Sequence, residues 1–315
     1  MKTFIRLFFI SLIFASCSKS NPTTDPTPTP IPDTLTAGWS KVGAGIPSNA
    51  RVYDVYFTGN TIGFAATDQG IFKSIDAGVN WALFNSVNTA VNISGLGNKY
   101  VFAGSNMLHY TTNGTDFFTK TIPVPSIGFR DCSIVSPSVL YACSGRYIYK
   151  STDGGVNFDS VYVFPSDGVT SSAIFFTSVT DGWLMRSDGL YKTTNGGVNW
   201  SQVYTASTSI GSIDFLNSST GLVSNELLFL KTTNGGANWS NIFNASVYGG
   251  FDVDIISPSE MYIAANNKIY KSIDGGATFT QVLSSAQNAI IEIHFIDSNN
   301  GWACGYNGAI YRYKL

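Results

Sequence analysis

The sequence predicts an all-β protein, a seven-bladed β-propeller of four-stranded blades. Three observations carry this. An eight-residue box recurs six times at nearly even spacing. The intervals hold short apolar runs broken by Gly, Asn, Ser and Asp, and no helical stripe of useful length. The one strand that the last interval lacks is found at the opposite end of the chain, around Trp39.

The box follows the pattern Ser/Thr-x-Asp/Asn-x-Gly-x-x-aromatic. Its copies read "SIDAGVNW" (74–81), "TTNGTDFF" (111–118), "STDGGVNF" (151–158), "TTNGGVNW" (193–200), "TTNGGANW" (232–239) and "SIDGGATF" (272–279). Their starts lie 37, 40, 42, 39 and 40 residues apart, and the second copy is degenerate, with Thr115 where the others carry Gly. Repeats of about 40 residues built from short strands are the signature of propeller blades. Within each interval an apolar strand leads to a second such as "GFAA" (63–66), "GWLM" (182–185) or "GWAC" (301–304). A third strand such as "GLYKT" precedes the box, and a fourth such as "WSQVY" (200–204) follows it.

The box chemistry is that of a turn. The side chains of Asp76, Asn113, Asp153, Asn195, Asn234 and Asp274 can accept backbone N–H groups a few residues on, closing Asx-type turns. The glycine at the fifth position supplies the positive φ of a tight hairpin. Trp81, Trp200 and Trp239 are large apolar plugs suited to packing between blades. Nothing in the box requires a ligand.

The seventh blade follows from counting. After the sixth box the chain supplies three more strands and stops, whereas "WSKV" (39–42) matches "WSQV" (200–203) and stands one repeat length before Trp81. The last blade is therefore predicted to close with the strand near Trp39, joining the two ends and removing exposed sheet edges.

The segment ahead of that strand has a different character. Lys2 and Arg6 precede an apolar run, 7–15, that is too short to span a bilayer, and residues 1–16 read as a signal peptide. Ile13-Phe14-Ala15-Ser16 before Cys17 resembles a bacterial lipoprotein cleavage box, which implies lipidation of Cys17. Residues 17–35, with prolines at 22, 26, 28, 30 and 32, read as an extended tether, leaving 36–315 as the propeller. Ser18 rather than Asp after the cysteine favours, by resemblance to bacterial sorting rules, a lipid anchor in the outer membrane or at the cell surface, with the leaflet open. Removing Lys2 and Arg6 leaves 16 basic residues against 20 acidic. That balance argues against a nucleic-acid partner, whose affinity rests on basic contacts to phosphate.

The boxes resemble the Asp-box (BNR) repeat of sialidases, two-propeller xyloglucanases and sortilin-like receptors. "GWACGYNGAIYR" together with "KTTNGGVNW" more specifically resembles the photosystem II stability/assembly factor family of seven-bladed propellers, over about residues 38–315. That resemblance implies a scaffold or assembly role, and it speaks to fold more than to activity. A sialidase-like site would need an arginine triad. The five arginines of the folded part, Arg51, Arg130, Arg146, Arg186 and Arg312, do not repeat at one blade level, and the Phe/Tyr-Arg-Ile-Pro start of that family is missing.

Acidic residues gather on the innermost strands. Aligned on the apolar residue seven before each second-strand aromatic, Asp54, Asp131, Asp252 and Glu292 share one level, and Asp214, Asp254 and His294 share another. The second blade does not align cleanly. These carboxylates, with Arg51 and Arg130 on innermost strands and Tyr53 and Tyr56 nearby, form the candidate channel site. Three readings stay open: a hydrated channel whose carboxylates pair with Arg51, Arg130 or backbone N–H groups, a cation or basic-peptide site, and a glycosidase pair. His109 and His294 lie in different blades without metal-ligand spacing, and "TNGG" lacks the Lys-Ser/Thr of a nucleotide loop. No metal or cofactor is expected. Pairing Val135 with Leu140 across "SPSV" (136–139) sets Cys132 opposite Cys143, so a disulfide and two buried thiols are both open. The expectation is a monomeric, non-enzymatic envelope lipoprotein that binds another protein. The alternative is a surface protein that binds or cleaves glycans.

Overall fold

A computed structural model describes residues 33–315 apart from 87–89, 105–106, 123–127, 207–209, 226–227, 246–249 and 286–287. The signal segment, Cys17 and all but the end of the tether lie outside the described residues. Seven antiparallel sheets follow one another in chain order; the first six are each built on four successive strands, and the seventh joins the last three strands to one from the start of the described chain. Blade 1 has Val52–Phe57 innermost, then Gly63–Thr67, Gly70–Ser74 and Ala82–Asn85. The innermost strands of blades 2 to 7 are Ala90–Leu96, Asp131–Ile134, Ser171–Phe176, Ile210–Phe215, Gly250–Ile255 and Ile290–Asp297. The strand Trp39–Val42 pairs with Ile310–Lys314 as the outermost strand of blade 7, with Trp39 opposite Tyr313. The ring thus closes as the sequence predicts. One pairing begins earlier than residue 36: Thr34–Leu35 adds a fifth strand to the outer edge of blade 6, opposite Ser284 and Leu283.

Blades adhere through a repeated aromatic stack. The second-strand Trp302, Tyr141, Trp183 and Tyr262 each lie flat on the last phenylalanine of the next blade's innermost strand. Those partners are Phe57, Phe176, Phe215 and Phe295, at centroid distances of 3.6–3.7 Å. The glycine that opens the second strand explains the fit. A Cβ at Gly63, Gly182, Gly221 or Gly301 would collide with the phenylalanine ring of its own blade. Only glycine lets that ring lie against the strand while its other face meets the neighbouring blade.

The boxes sit at the turn between third and fourth strands, as the sequence reading has it. In the third copy, Ser151 Oγ accepts the Gly155 N–H at 2.8 Å and bonds Asp153 Oδ1 at 2.8 Å, while Asp153 Oδ1 accepts the Asn157 N–H at 2.9 Å. The same set recurs around Asp76, Asn195, Asn234 and Asp274. In the degenerate copy Asn113 Oδ1 accepts the N–H groups of Thr115 and Asp116, two and three residues on, a shorter turn. Two successive residues take positive φ, 69° and 86° at Gly196 and Gly197, where the sequence assigned only the second. Lysines add an unforeseen clamp. Lys73, Lys99, Lys192 and Lys231 donate to the carbonyls of Gly114, Gly154, Gly235 and Gly275, each in the box of the following blade.

The predicted facing of Cys132 and Cys143 is incorrect. Ile134 pairs with Leu140, so Asp131 stands opposite Cys143 and Cys132 opposite Ala142. The turn holds five residues instead of four, because Val139 O accepts the N–H groups of both Val135 and Ser136. That one-residue shift sends the two side chains to opposite faces of the blade. Cys132 packs against blade 2 and Cys143 against blade 4, and both are free thiols.

Candidate channel site

The innermost strands surround a channel of about 480 Å³. Its wall is set by a bulge near the start of these strands. In blade 1 the register shifts between Val52 and Asp54, and blades 2, 4, 5, 6 and 7 shift at the corresponding place. The extra residue is left unpaired; Val91, Ser172, Gly211 and Phe251 at this place line the channel, and in blade 3 Arg130, directly ahead of the strand, lines it as well. Beyond the bulge, alternate side chains point inward. This gives two rings. The upper, facing the second-strand residues Ala66, Ala103, Cys143, Met185, Ala264 and Cys304, holds Asp54, Asn92, Asp131, Ala173, Asp252 and Glu292, with Ser212 completing it in blade 5. The lower, nearer the boxes, holds Tyr56, Ser94, Ser133, Phe175, Asp214, Asp254 and His294.

The two levels of carboxyls therefore stand as the sequence alignment has them, and blade 2 contributes Asn92 and Ser94, which that alignment missed. The missing signal was the bulge itself, since nothing in "AVNIS" (90–94) marks which residue is extra.

The carboxyls stitch blade to blade. In the upper ring Asp54 Oδ2 accepts the Ile93 N–H at 2.6 Å, Asp131 Oδ2 that of Ile174 at 2.7 Å, and Asp252 Oδ2 that of Ile293 at 2.7 Å. In the lower ring Asp214 takes the Ile255 N–H at 2.8 Å and Asp254 that of Phe295 at 2.6 Å. Asn92, Ser94 and Ser133 accept from Cys132, Ile134 and Phe176 in the same manner. Glu292 differs: its carboxyl turns back to hydrogen-bond Asp252, which also receives Ser212. Where blade 7 meets blade 1, His294 Nε2 bonds the Phe57 carbonyl at 2.7 Å while its ring stacks on Tyr56 at 4.2 Å.

Among the described residues none of these carboxyls is in an ion pair. Pairing with backbone N–H groups is thus the arrangement present, and pairing with Arg51 or Arg130 is not. Both arginines directly precede the innermost strands and do not lie within them. Arg51 is exposed and stacks on Tyr306 at 5.1 Å, and Arg130 is exposed at the channel wall. Tyr56 lines the channel and donates to Gly95 O, whereas Tyr53 occupies the bulge of blade 1.

Loss of water around the carboxyls disfavours their charged forms. Burial pushes Asp252 up to about 6, Asp131 and Asp214 to about 7 and Asp54 to about 8, in each case against the opposing pull of the N–H it accepts. Glu292 and Asp254 are raised well above the usual range, first by burial and then by the charges of Asp252 and Asp214 respectively. Burial lowers His294 to about 4, so it is neutral near pH 7 and adds no positive charge. Among the described residues no group of three His, Cys, Asp or Glu side chains is disposed to hold a metal ion.

No family model matches the chain, and no curated protein matches it. Solved structures do. The chain is similar to YCF48 bound to D1 peptide, with 18% identity, a TM-score of 0.71 and coverage of 90% of this chain and 99% of that one. It is similar to YCF48 from Cyanidioschyzon merolae at 17% identity and a TM-score of 0.74, covering 88% and 99%. It is also similar to the GH74 enzyme of Niastella koreensis at 18% identity and a TM-score of 0.66, covering 85% of this chain and 43% of the enzyme. At such identities the likeness is one of fold: this chain is a seven-bladed β-propeller.

Proposed function

We propose that the protein is a non-enzymatic, lipid-anchored scaffold of the cell envelope, binding a segment of another protein across the channel mouth. The observation that carries this reading is the use of the channel carboxyls. Five of the six accept backbone N–H groups of the next blade, and the sixth, Glu292, bonds Asp252. A glycosidase pair needs two carboxyls about 5 Å apart or more, one positioned to donate a proton and the other to attack or activate water. Two carboxyls in mutual hydrogen-bond contact fit neither geometry. The fold shared with YCF48, whose solved complex holds a D1 peptide, supports peptide recognition. The glycan alternative draws its support from the likeness to the GH74 enzyme.

The discriminating experiment assays the protein against a glycan panel and, in parallel, captures partners from envelope extract. Turnover that is abolished by Asp252→Asn or Asp54→Asn overturns the scaffold reading. A stable protein partner without turnover supports it. The anchor is tested separately: Cys17→Ser is expected to move the protein from the membrane to the soluble fraction, and persistence in the membrane removes the lipid anchor from the proposal.

A further inference from the structure

Six carboxyls share one channel, and among the described residues no cation pairs with them. The geometry points to a proton-loaded lock: protons held by the channel carboxyls keep the seven blades together, and alkalinisation loosens the ring.

Three observations support it. First, Asp252 and Glu292 stand at one level of the channel on neighbouring blades, and Asp252 reaches across to the N–H of Ile293, the residue after Glu292. Two carboxylates held side by side disfavour each other's charge, and only a proton on one lets them hydrogen-bond. Second, the groups facing this pair leave little to compensate a further negative charge. The upper ring adds Asp54 and Asp131, with Asn92 and Ser212 neutral; the lower ring adds Asp214, Asp254, Tyr56 and the neutral His294. Cys143 and Cys304, on the second strands behind the upper ring, and Cys132 beside Asp131 are thiols whose ionisation burial opposes. Among the described residues that line the channel Arg130 is the one cation, and it is exposed. Third, the carboxyls are joints between blades, so repulsion among them acts on the contacts that close the ring.

The sign is set by which state holds protons more tightly. An unfolded aspartate titrates near 4, whereas burial moves Asp252, Asp131, Asp214 and Asp54 to about 6, 7, 7 and 8 in the folded protein. The folded state therefore binds the extra protons between these limits, and stability falls as pH rises. The contribution is complete below about pH 4 and is lost progressively through the folded-state values. Asp131, Asp214, Asp254 and Glu292 retain partial contact with channel water, which softens the effect without reversing it.

The test is thermal unfolding of the full-length protein across pH. The melting temperature is expected to fall by roughly 5 °C or more between pH 5 and pH 8.5, and Glu292→Gln, which keeps a hydrogen-bond donor but removes the charge, is expected to shrink that fall. A wild-type melting temperature that stays level or rises over this range overturns the proposal, as does a fall that Glu292→Gln leaves unchanged. Infrared spectroscopy of the folded wild type gives a reading that needs no variant. A protonated-carboxyl carbonyl band present at pH 6 and lost by pH 9 supports the lock, and its absence at pH 6 overturns it.

Discussion

At the scale of single residues, the box divides its work between two side chains. The sequence made the Asp or Asn conspicuous, because that residue type at a glycine turn has a known bonding habit. The buried hydroxyl two positions earlier was not read, although Ser74, Thr111, Ser151, Thr193, Thr232 and Ser272 are all at most 1% exposed. Ser and Thr are common on surfaces, and nothing in the sequence separates a buried hydroxyl from a solvated one. Ser151→Ala leaves the Gly155 N–H buried without its acceptor, an expected cost of about 1–3 kcal/mol, to be measured by denaturant unfolding. The box aspartates respond to acid in the sense opposite to the channel. Hydrogen bonds from Asn157 hold Asp153 down to about 2, and those from Thr278 hold Asp274 down to about 2. What they contribute is present above about pH 4 and is lost as pH falls through the folded value. Box and channel together place maximal stability in mildly acidic solution, between the two limbs.

At the scale of strands and turns, the placement of elements was legible because each blade repeats the same cues. What escaped was register. The turn at 135–139 is one residue longer than the expected loop, and one residue exchanges faces, which is why Cys132 and Cys143 part company. The bulge hid blade 2's contribution for the same reason. Side-chain alternation can be read within a strand, but an inserted residue is invisible until its partner strand is known. The glycine at the start of the second strand in blades 1, 4, 5 and 7 was read as part of a pattern, and its reason is steric. Gly182→Ala places a methyl group against the Phe176 ring, which is held between that strand and Tyr141. Displacing the ring is expected to cost about 1–3 kcal/mol and to lower the melting temperature, whereas an alanine at half-buried Gly59, with open space around its Cβ direction, is expected to be neutral.

At the scale of the whole molecule, closure depends on four residues from the far end of the chain. Trp39 is buried against Phe295 and Tyr313, and its strand covers the edge of Ile310–Lys314. Deleting residues 1–42 is expected to abolish the cooperative melting transition seen by circular dichroism, whereas deleting 1–32 is expected to preserve it. A cooperative transition in the shorter chain would show that six complete blades and three strands close without this strand. Count, order and closure of blades could all be read from the sequence, since they follow from spacing. The partner could not, because the repeated residues build the ring and the residues that differ between blades carry no motif.

The strand at Trp39–Val42 also imposes an order in time. A ribosome makes it among the earliest residues of the propeller, yet its partner, Ile310–Lys314, is the last to appear. Contacts so distant along the chain form slowly, because a very long loop must close before they bring any gain. Until Ile310–Lys314 is made, the strand at Trp39–Val42 has no partner to dock on, and the nascent propeller carries it unpaired. Emergence of Ile310–Lys314, rather than of any earlier blade, is then the event that lets the ring close.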